Sequence, residues 1–127
     1  MLQTPSLTLF IGVSLAIAAS PAWSGDAVRG EQLFLKCQRC HSLDANAPQE
    51  DGPNLHGLFG RKAGTVENYK GYSEALKSSG LVWNEQTMDE FLQNPAKFIP
   101  GSNMRFRPMK KEEDRQDLIA YLRDATK

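Results

Sequence analysis

The sequence predicts an all-α protein. Apolar residues recur at steps of three and four in several segments, which is the spacing of one face of a helix. No segment alternates apolar and polar residues for long enough to predict a strand. The 127 residues are enough for one domain and too few for two domains of ordinary size. We therefore predict one small helical domain preceded by a short leader.

The leader covers residues 1–24, which carry no charged side chain. Its apolar run from Leu7 to Ala19 is shorter than the roughly 20 residues that a membrane-spanning helix needs. The stretch Ala22-Trp23-Ser24 follows Pro21 and resembles a cleavage site. We predict that residues 1–24 are a cleaved secretory signal peptide, with Gly25 as the mature N-terminus, and that the protein is exported to the periplasm. The alternative is an uncleaved membrane anchor.

Residues 25–127 are predicted to form four helices joined by two long loops. The helices run from about Asp26 to Cys40, from Ser73 to Ser79, from Asn84 to Pro95, and from Glu112 towards the C-terminus. Ser73 and Asn84 are suitable N-caps, and Pro95 is a helix terminator. The loops, Ser42–Lys70 and Pro95–Met109, are rich in Gly, Pro and Asn. Loops of this length in a small domain need something to hold them.

The charge balance excludes one class of function. Fifteen Lys plus Arg balance fifteen Asp plus Glu, so the formal net charge is zero. A nucleic-acid-binding domain normally carries a basic excess that meets the phosphates. The charges are nevertheless segregated, because the segment from Phe91 to Lys111 contains five bases and no acid. We expect this segment to form the positive end of a dipole.

The segment Cys37-Gln38-Arg39-Cys40-His41 carries the chemistry. Cysteines three residues apart on a helix share a face, so both thiols can bond to one flat ligand. Thioether bonds to the vinyl groups of haem would fix the ring against that face, and His41 could then ligate the iron. This is the pattern of c-type haem attachment. The alternatives are a disulfide, a thioredoxin-like redox pair, which would need a βαβ unit, and a zinc site, for which His56 would be the fourth ligand.

The second axial ligand of the iron would decide the function. Met88 lies on an amphipathic helix, where core packing explains it, and His56 lies in a loop close to the attachment segment. Met104 ends the turn sequence Pro100–Met104, whose pattern gives its side chain no other role. A thioether is a soft ligand that favours ferrous iron and raises the reduction potential. We therefore predict Met104 as the ligand, with Met109 as the alternative.

These motifs resemble those of the class I c-type cytochromes, especially the mitochondrial cytochrome c group and its bacterial relatives. The resemblance covers residues 25–127 and rests, beyond the attachment segment, on Gly52–Lys62, Trp83, Asn94-Pro95, Ile99–Met104 and Asp117–Leu122. It implies the small monohaem cytochrome c fold, in which the N- and C-terminal helices cross and the haem forms part of the core. Gly30 and Phe34 match the crossing contact with Leu118 and Tyr121.

The resemblance also assigns eight residues to a single haem c. Cys37 and Cys40 would form the thioethers, and His41 and Met104 would be the axial ligands. The Pro53 carbonyl would accept a hydrogen bond from the other ring nitrogen of His41. The haem propionates would be surrounded by the remaining three of the eight residues, which are Arg61, Tyr72 and Trp83.

The function implied is that of a soluble one-electron carrier, and not of an enzyme, because both axial positions are filled. Its partners would be respiratory or photosynthetic redox complexes, such as a cytochrome bc-type complex, a terminal oxidase, a reaction centre or a dehydrogenase. We expect a monomer that binds no nucleic acid and does not insert stably into a membrane. The alternatives are a haem enzyme or gas-binding protein with an open sixth position, and a membrane-tethered haem subunit of an oxidase.

Overall fold

A computed structural model describes residues 1–2, 8, 11–17 and 23–127. Its helices are α1 (Ala27–Phe34), α2 (Glu74–Lys77), α3 (Glu85–Gln93), α4 (Pro95–Phe98) and α5 (Glu112–Ala125). Within these described ranges the only strand-like pairing is one antiparallel bridge between Lys62 and Val82. The predicted all-α class is therefore confirmed. Pro21 and Ala22 of the predicted cleavage site lie outside the described residues, and no described helix is long and apolar enough to cross a membrane.

The crossing of α1 and α5 brings the two ends of the domain together. Gly30 of α1 lies so close to α5 that an added Cβ would overlap the Asp117 carbonyl oxygen and would lie 2.8 Å from the Tyr121 Cβ. One turn further along α1, the Phe34 ring packs at 5.5 Å, between centroids, against the Tyr121 ring. The absence of a side chain at Gly30 thus allows the two backbones to meet, as the resemblance implied.

Charged groups reinforce the same crossing. The Asp117 carboxylate, which is almost completely buried, accepts a hydrogen bond of 2.6 Å from the Asp26 main-chain N–H and pairs with the Arg29 guanidinium. Arg29 also pairs with Asp114 at 2.6 Å. Because Asp26 in turn caps α1 by accepting from the Val28 N–H at 2.9 Å, the start of α1 is linked directly to α5.

The apolar core lies between α1, α3 and α5. Its buried cluster consists of Phe34, Leu58, Ala63, Trp83, Met88, Phe91, Leu92, Ile99, Leu118, Ile119 and Leu122. Helices α1, α3 and α5 supply most of these side chains, whereas only three come from residues 42–73 or 78–84. The segments between the helices therefore supply fewer of the fully buried side chains than the helices do.

The first helix is shorter than predicted. It ends at Phe34, and residues 35–40 form hydrogen-bonded turns in place of the predicted helical continuation to Cys40. The Cys37 N–H donates to the Phe34 carbonyl three residues earlier at 2.7 Å, which tightens the chain out of α-helical geometry. Four-residue bonds join the Gln38 N–H to the Phe34 carbonyl at 3.1 Å and the His41 N–H to the Cys37 carbonyl at 3.0 Å. The attachment segment is thus a compact turn and not part of α1.

Helix α4 was not predicted, because Pro95 was taken only as a terminator. Asn94 ends α3, and its side-chain oxygen caps α4 by accepting from the Lys97 N–H at 3.2 Å. Proline lacks an N–H and has a fixed φ, so it fits the first position of a helix as well as the position after one. The predicted caps are confirmed: Ser73 accepts from the Leu76 N–H at 3.1 Å, and Asn84 from the Thr87 N–H at 2.8 Å.

Candidate functional site

The attachment turn places two thiols and an imidazole within five residues. The Cys40 and His41 N–H groups both donate to the Cys37 carbonyl, at 3.1 and 3.0 Å. Both cysteines are free, with Cys37 half-buried and Cys40 exposed. Burial raises the pKa of the Cys37 thiol, so this sulfur is protonated at neutral pH. The turn therefore presents two free cysteine sulfurs, three residues apart, that could bond to one ligand.

His41 is held in one tautomer by the main chain. Its ring is buried, with 8% of the residue exposed, and Nδ1 lies 2.7 Å from the Pro53 carbonyl oxygen. Because a carbonyl oxygen only accepts, Nδ1 carries the proton and Nε2 keeps a free lone pair. Burial lowers the pKa of the imidazole, while the bond to Pro53 opposes this. A neutral, oriented imidazole is the form that ligates a metal ion.

Gly52 shapes the same contact, although the sequence analysis quoted it only as part of a motif. An added Cβ would lie 2.6 Å from Cε1 and 2.8 Å from Nδ1 of the His41 ring. The Gly52 N–H also donates to the Cys40 carbonyl at 2.7 Å, so the residue joins the loop to the attachment turn. In the sequence, the contact of Gly52 with His41 is indicated by the position of Gly52 directly before Pro53.

The three methionines of the domain differ in burial. Met88 is in the core with 6% exposed, as its helical spacing predicted. Met109 packs against the core, and its N–H donates to the Leu92 carbonyl at 2.9 Å. Met104 is 37% exposed. Met104 is thus the methionine whose thioether the protein core leaves free.

Arg61 is a half-buried cation without a carboxylate partner. Its Nη1 donates to the main-chain carbonyls of Asn54 and His56, at 3.0 and 3.2 Å. None of the ion pairs in residues 23–127 includes Arg61. Burial lowers the pKa of the guanidinium, because the charge has lost hydration that no acid replaces. The arginine is therefore suited to an anionic group.

Tyr72 and Trp83 lie close to this arginine. The Trp83 N–H donates to the Arg61 carbonyl at 2.9 Å, so the bridge between Lys62 and Val82 fixes their spacing. The Tyr72 hydroxyl accepts from the Val66 N–H at 3.2 Å, and burial raises the pKa of the phenol, which stays neutral. The structure therefore brings together the three residues predicted around the propionates.

The structure does not favour the alternative roles of the attachment residues. Within the described residues, no group of three or more His, Cys, Asp or Glu side chains is arranged to hold a metal ion. The His56 side chain is exposed, and its main chain bonds to the Asn54 side chain at 2.8 Å and to Arg61. His56 thus has a structural place in its loop. The zinc site considered from the sequence has no support.

The donor set fits a haem. Two thiols provide covalent attachment, a neutral imidazole has one nitrogen oriented and the other free, and an exposed thioether is a soft ligand. The Arg61 cation suits a propionate. The fold and these donors define a small haem protein of the c type.

Comparison with known proteins identifies the family. The profile of the family described as cytochrome c matches residues 27–126. The cytochromes c of Gibberella zeae and Stellaria longipes are each 49% identical over 104 residues, which are 81% of this chain and 97% and 95% of theirs. Cytochrome c of Arabidopsis thaliana is 48% identical over 104 residues, 81% of this chain and 92% of its own. The chain belongs to the cytochrome c family; it is an electron carrier with one covalently bound haem c.

The comparison contradicts the predicted periplasmic localisation. The relatives are cytochromes c of a fungus and of flowering plants, whose cells have no periplasm. The prediction rested on the apolar, uncharged residues 1–24. Such a composition suits a targeting segment, but it carries no information about which compartment the protein reaches, so the prediction was wrong.

Replacing Gly52 with alanine tests how closely the loop is fitted to the His41 ring. The new Cβ would collide with the His41 ring, so we expect the holoprotein to lose about 1–3 kcal/mol of its free energy of unfolding. Guanidinium titrations followed by circular dichroism measure this loss. The neighbouring exposed Asp51→Ala is the control and should change stability by less than about 0.5 kcal/mol. Equal effects of the two substitutions would show that Gly52 does not constrain the ring.

Proposed function

We propose that this cytochrome c carries single electrons between redox partners, with its iron held between His41 and Met104 and its haem bonded to Cys37 and Cys40. The bound haem supplies the one-electron couple. The observation that carries the proposal is the attachment turn, where His41 has one ring nitrogen bonded to Pro53 and the other free. The chain has the task of orienting ligands and excluding water, with no substrate chemistry of its own.

The assignment of Met104 is supported by what the other methionines do. Met88 is enclosed by the core, so ligation would require α3 to leave its packing. Met109 would have to leave the core and break its main-chain bond to Leu92. Met104 would give up no packing contact of this kind. With both axial positions filled by protein, no site would remain for a substrate or a gas, which is why we propose a carrier and not a haem enzyme.

The polar residues near Arg61 would set the environment of the propionates. Arg61 has a charge that no carboxylate of residues 23–127 pairs, and Tyr72 and Trp83 can donate hydrogen bonds to an anion. We propose that these three residues compensate the propionate charge. The Pro53 carbonyl would fix the His41 tautomer and strengthen the imidazole as a ligand.

Sulfur ligation is tested by a matched pair of substitutions. Met104→Leu keeps the side-chain volume and removes the thioether, so the ferric sulfur–iron absorption band should disappear and the reduction potential should fall. Met109→Leu should leave both unchanged and cost less than about 1.5 kcal/mol of stability. The absorption spectrum and a redox titration of each holoprotein give the answer. A band that survives in Met104→Leu and is lost in Met109→Leu would reverse the assignment, and its absence from the wild type would show that no methionine occupies the sixth position.

The proposed partners are redox complexes such as a cytochrome bc-type complex, a terminal oxidase, a reaction centre or a dehydrogenase. We propose that each of them binds at the basic segment of residues 91–111. All five bases of this segment are exposed, and none takes part in an ion pair within residues 23–127. They are Lys97, Arg105, Arg107, Lys110 and Lys111. Because the segment also contains Met104, a negatively charged partner attracted to it would meet the proposed ligand loop. Local charge of this kind raises association rates even at zero net charge.

Charge reversal locates this docking surface. Lys97→Glu should slow electron transfer from an acidic redox protein by roughly fivefold at low salt, since it removes about 1 kcal/mol of charge interaction. Lys127→Glu, at the far end of α5, should change the rate much less. Stopped-flow rates at several salt concentrations measure both, and the wild-type rate should fall as salt screens the attraction. Equal slowing by the two reversals would show that no localised surface exists.

We also propose that residues 1–24 are removed and that the cytochrome c domain comprises residues 25–127. The 104 residues matched to the Gibberella zeae protein make up 97% of that relative, so the leader has no counterpart within it. Removal would cost the packing of Trp23 against the core and a contact in which the Arg123 guanidinium lies 3.5 Å from the Trp23 carbonyl oxygen. The intact mass of the holoprotein from its natural source should correspond to Gly25–Lys127 plus one haem. A mass that includes residues 1–24 would contradict the proposal.

A further inference from the structure

Arg115 is a buried arginine in the first turns of α5, and its bonds lead to the methionine loop. Only 6% of its side chain is exposed. Its Nε donates to the Asp89 carboxylate of α3 at 2.7 Å. Its Nη1 donates to the carbonyl oxygens of Met109 and Lys110, at 2.9 and 3.1 Å. A buried charge needs such partners to offset its lost hydration, so the guanidinium and its three acceptors form one unit.

The loop that this arginine contacts has few bonds of its own. Within residues 23–127, no main-chain N–H of residues 103–108 donates to a main-chain carbonyl. On one side, the Asn103 side chain donates to the Gly71 carbonyl at 2.8 Å. On the other side, the Met109 N–H donates to Leu92, and Arg115 binds the next two carbonyls. The segment between these two attachments contains Met104 and is held in its middle by packing of the Phe106 ring against Phe91, at 6.1 Å between centroids, so its hydrogen bonds to the rest of the domain lie at its ends.

We propose that Arg115 is a positioning residue for the axial thioether of Met104, acting through the Met109 and Lys110 carbonyls and held in place by the Asp89 carboxylate. Any opening that carries Met104 away together with residues 105–110 must break the two carbonyl bonds of Arg115. Bonds to a charged donor in a buried site are stronger than neutral ones and therefore raise the free energy of local opening. The inference rests on the proposed ligation by Met104.

Asp89 determines whether the arginine stays in this position. Its carboxylate, with 20% of the side chain exposed, is the only acid that pairs with Arg115 among the described residues. Without that charge, the guanidinium is buried beside carbonyl dipoles alone, and turning it towards water becomes favourable. Asp89→Asn keeps the size of the side chain and removes the charge. Arg115→Lys keeps the charge but lacks the planar fork that reaches one carboxylate and two carbonyls.

A purely structural role must be separated from loop positioning. Arg115 also connects α3 to α5, so its loss could lower global stability without acting on Met104 in particular. Arg29 offers a matched control. It pairs with Asp114 and Asp117 of α5, the helix that contains Arg115, but it connects α5 to α1 and not to α3. Arg29→Gln should lower the free energy of global unfolding and leave the methionine loop unaffected.

The experiment uses ferric holoprotein and two measurements of local opening. Imidazole replaces methionine at the iron only when the loop opens, so its saturating binding rate reports opening. Hydrogen exchange of the Met109 N–H, which is bonded to the Leu92 carbonyl, reports the same event independently of the iron. Guanidinium titration gives global stability. We expect Asp89→Asn and Arg115→Lys each to accelerate imidazole binding and exchange by roughly tenfold, while Arg29→Gln accelerates neither. The double variant should be no faster than the faster single variant.

Unchanged opening in Asp89→Asn and Arg115→Lys, with a global loss like that of Arg29→Gln, would overturn the proposal. If Arg115→Lys does not fold, Asp89→Asn alone decides. Failure of the proposed function is distinguishable, because the sulfur–iron band would then persist in Met104→Leu. In that case hydrogen exchange would still show whether Arg115 holds the loop, whereas the link to the iron ligand would be refuted.

Discussion

The crossing of α1 and α5 is the constraint on which the rest of the structure depends. Gly30 lets the two backbones meet, and Arg29 and Asp117 connect them, which fixes the turn that follows α1. The two long loops, residues 42–73 and 99–111, are attached to this frame at few points. The Gly57 N–H donates to the Thr126 carbonyl at the end of α5, and Arg115 of α5 binds the Met109 and Lys110 carbonyls. Since these loops supply only three of the fully buried apolar side chains, Leu58, Ala63 and Ile99, we infer that the haem bonded to the attachment turn completes the core between loops and frame.

The same frame accounts for the uneven charge. The acids at the start of α5 are engaged within the domain, where Glu113, Asp114 and Asp117 all pair with Arg29. The bases of residues 91–111 have no such partners within residues 23–127 and remain exposed. Arg115, which follows this segment, is instead buried and pairs with Asp89. A chain with zero formal net charge can therefore present a basic surface beside its ligand loop. The helix dipole also favours acids at the start of α5, which separates the charges further.

The helices and the attachment residues could be predicted from local patterns. Asn84 and Ser73 are caps whose side chains act within three residues, and the contact of His41 with Pro53 came from a motif resemblance. The residues at which α1 ends and α4 begins could not be predicted, because the same residue types occur on both sides of a helix boundary. The link between Asp89 and Arg115 joins residues 26 positions apart, and no local period reveals it. Compartment could not be predicted, since the apolar composition of residues 1–24 does not distinguish one target compartment from another.

The most direct test of this account is the folding of the chain without its cofactor. Cys37→Ala/Cys40→Ala protein, produced without haem attachment, keeps the α1–α5 contacts but lacks the group that is inferred to complete the core. Far-ultraviolet circular dichroism of this apoprotein should show little helix and no cooperative thermal transition, because a domain of this size with two long loops lacks sufficient apolar burial. Native-like helical content that melts in one cooperative step would contradict the claim that the haem holds the loops to the frame.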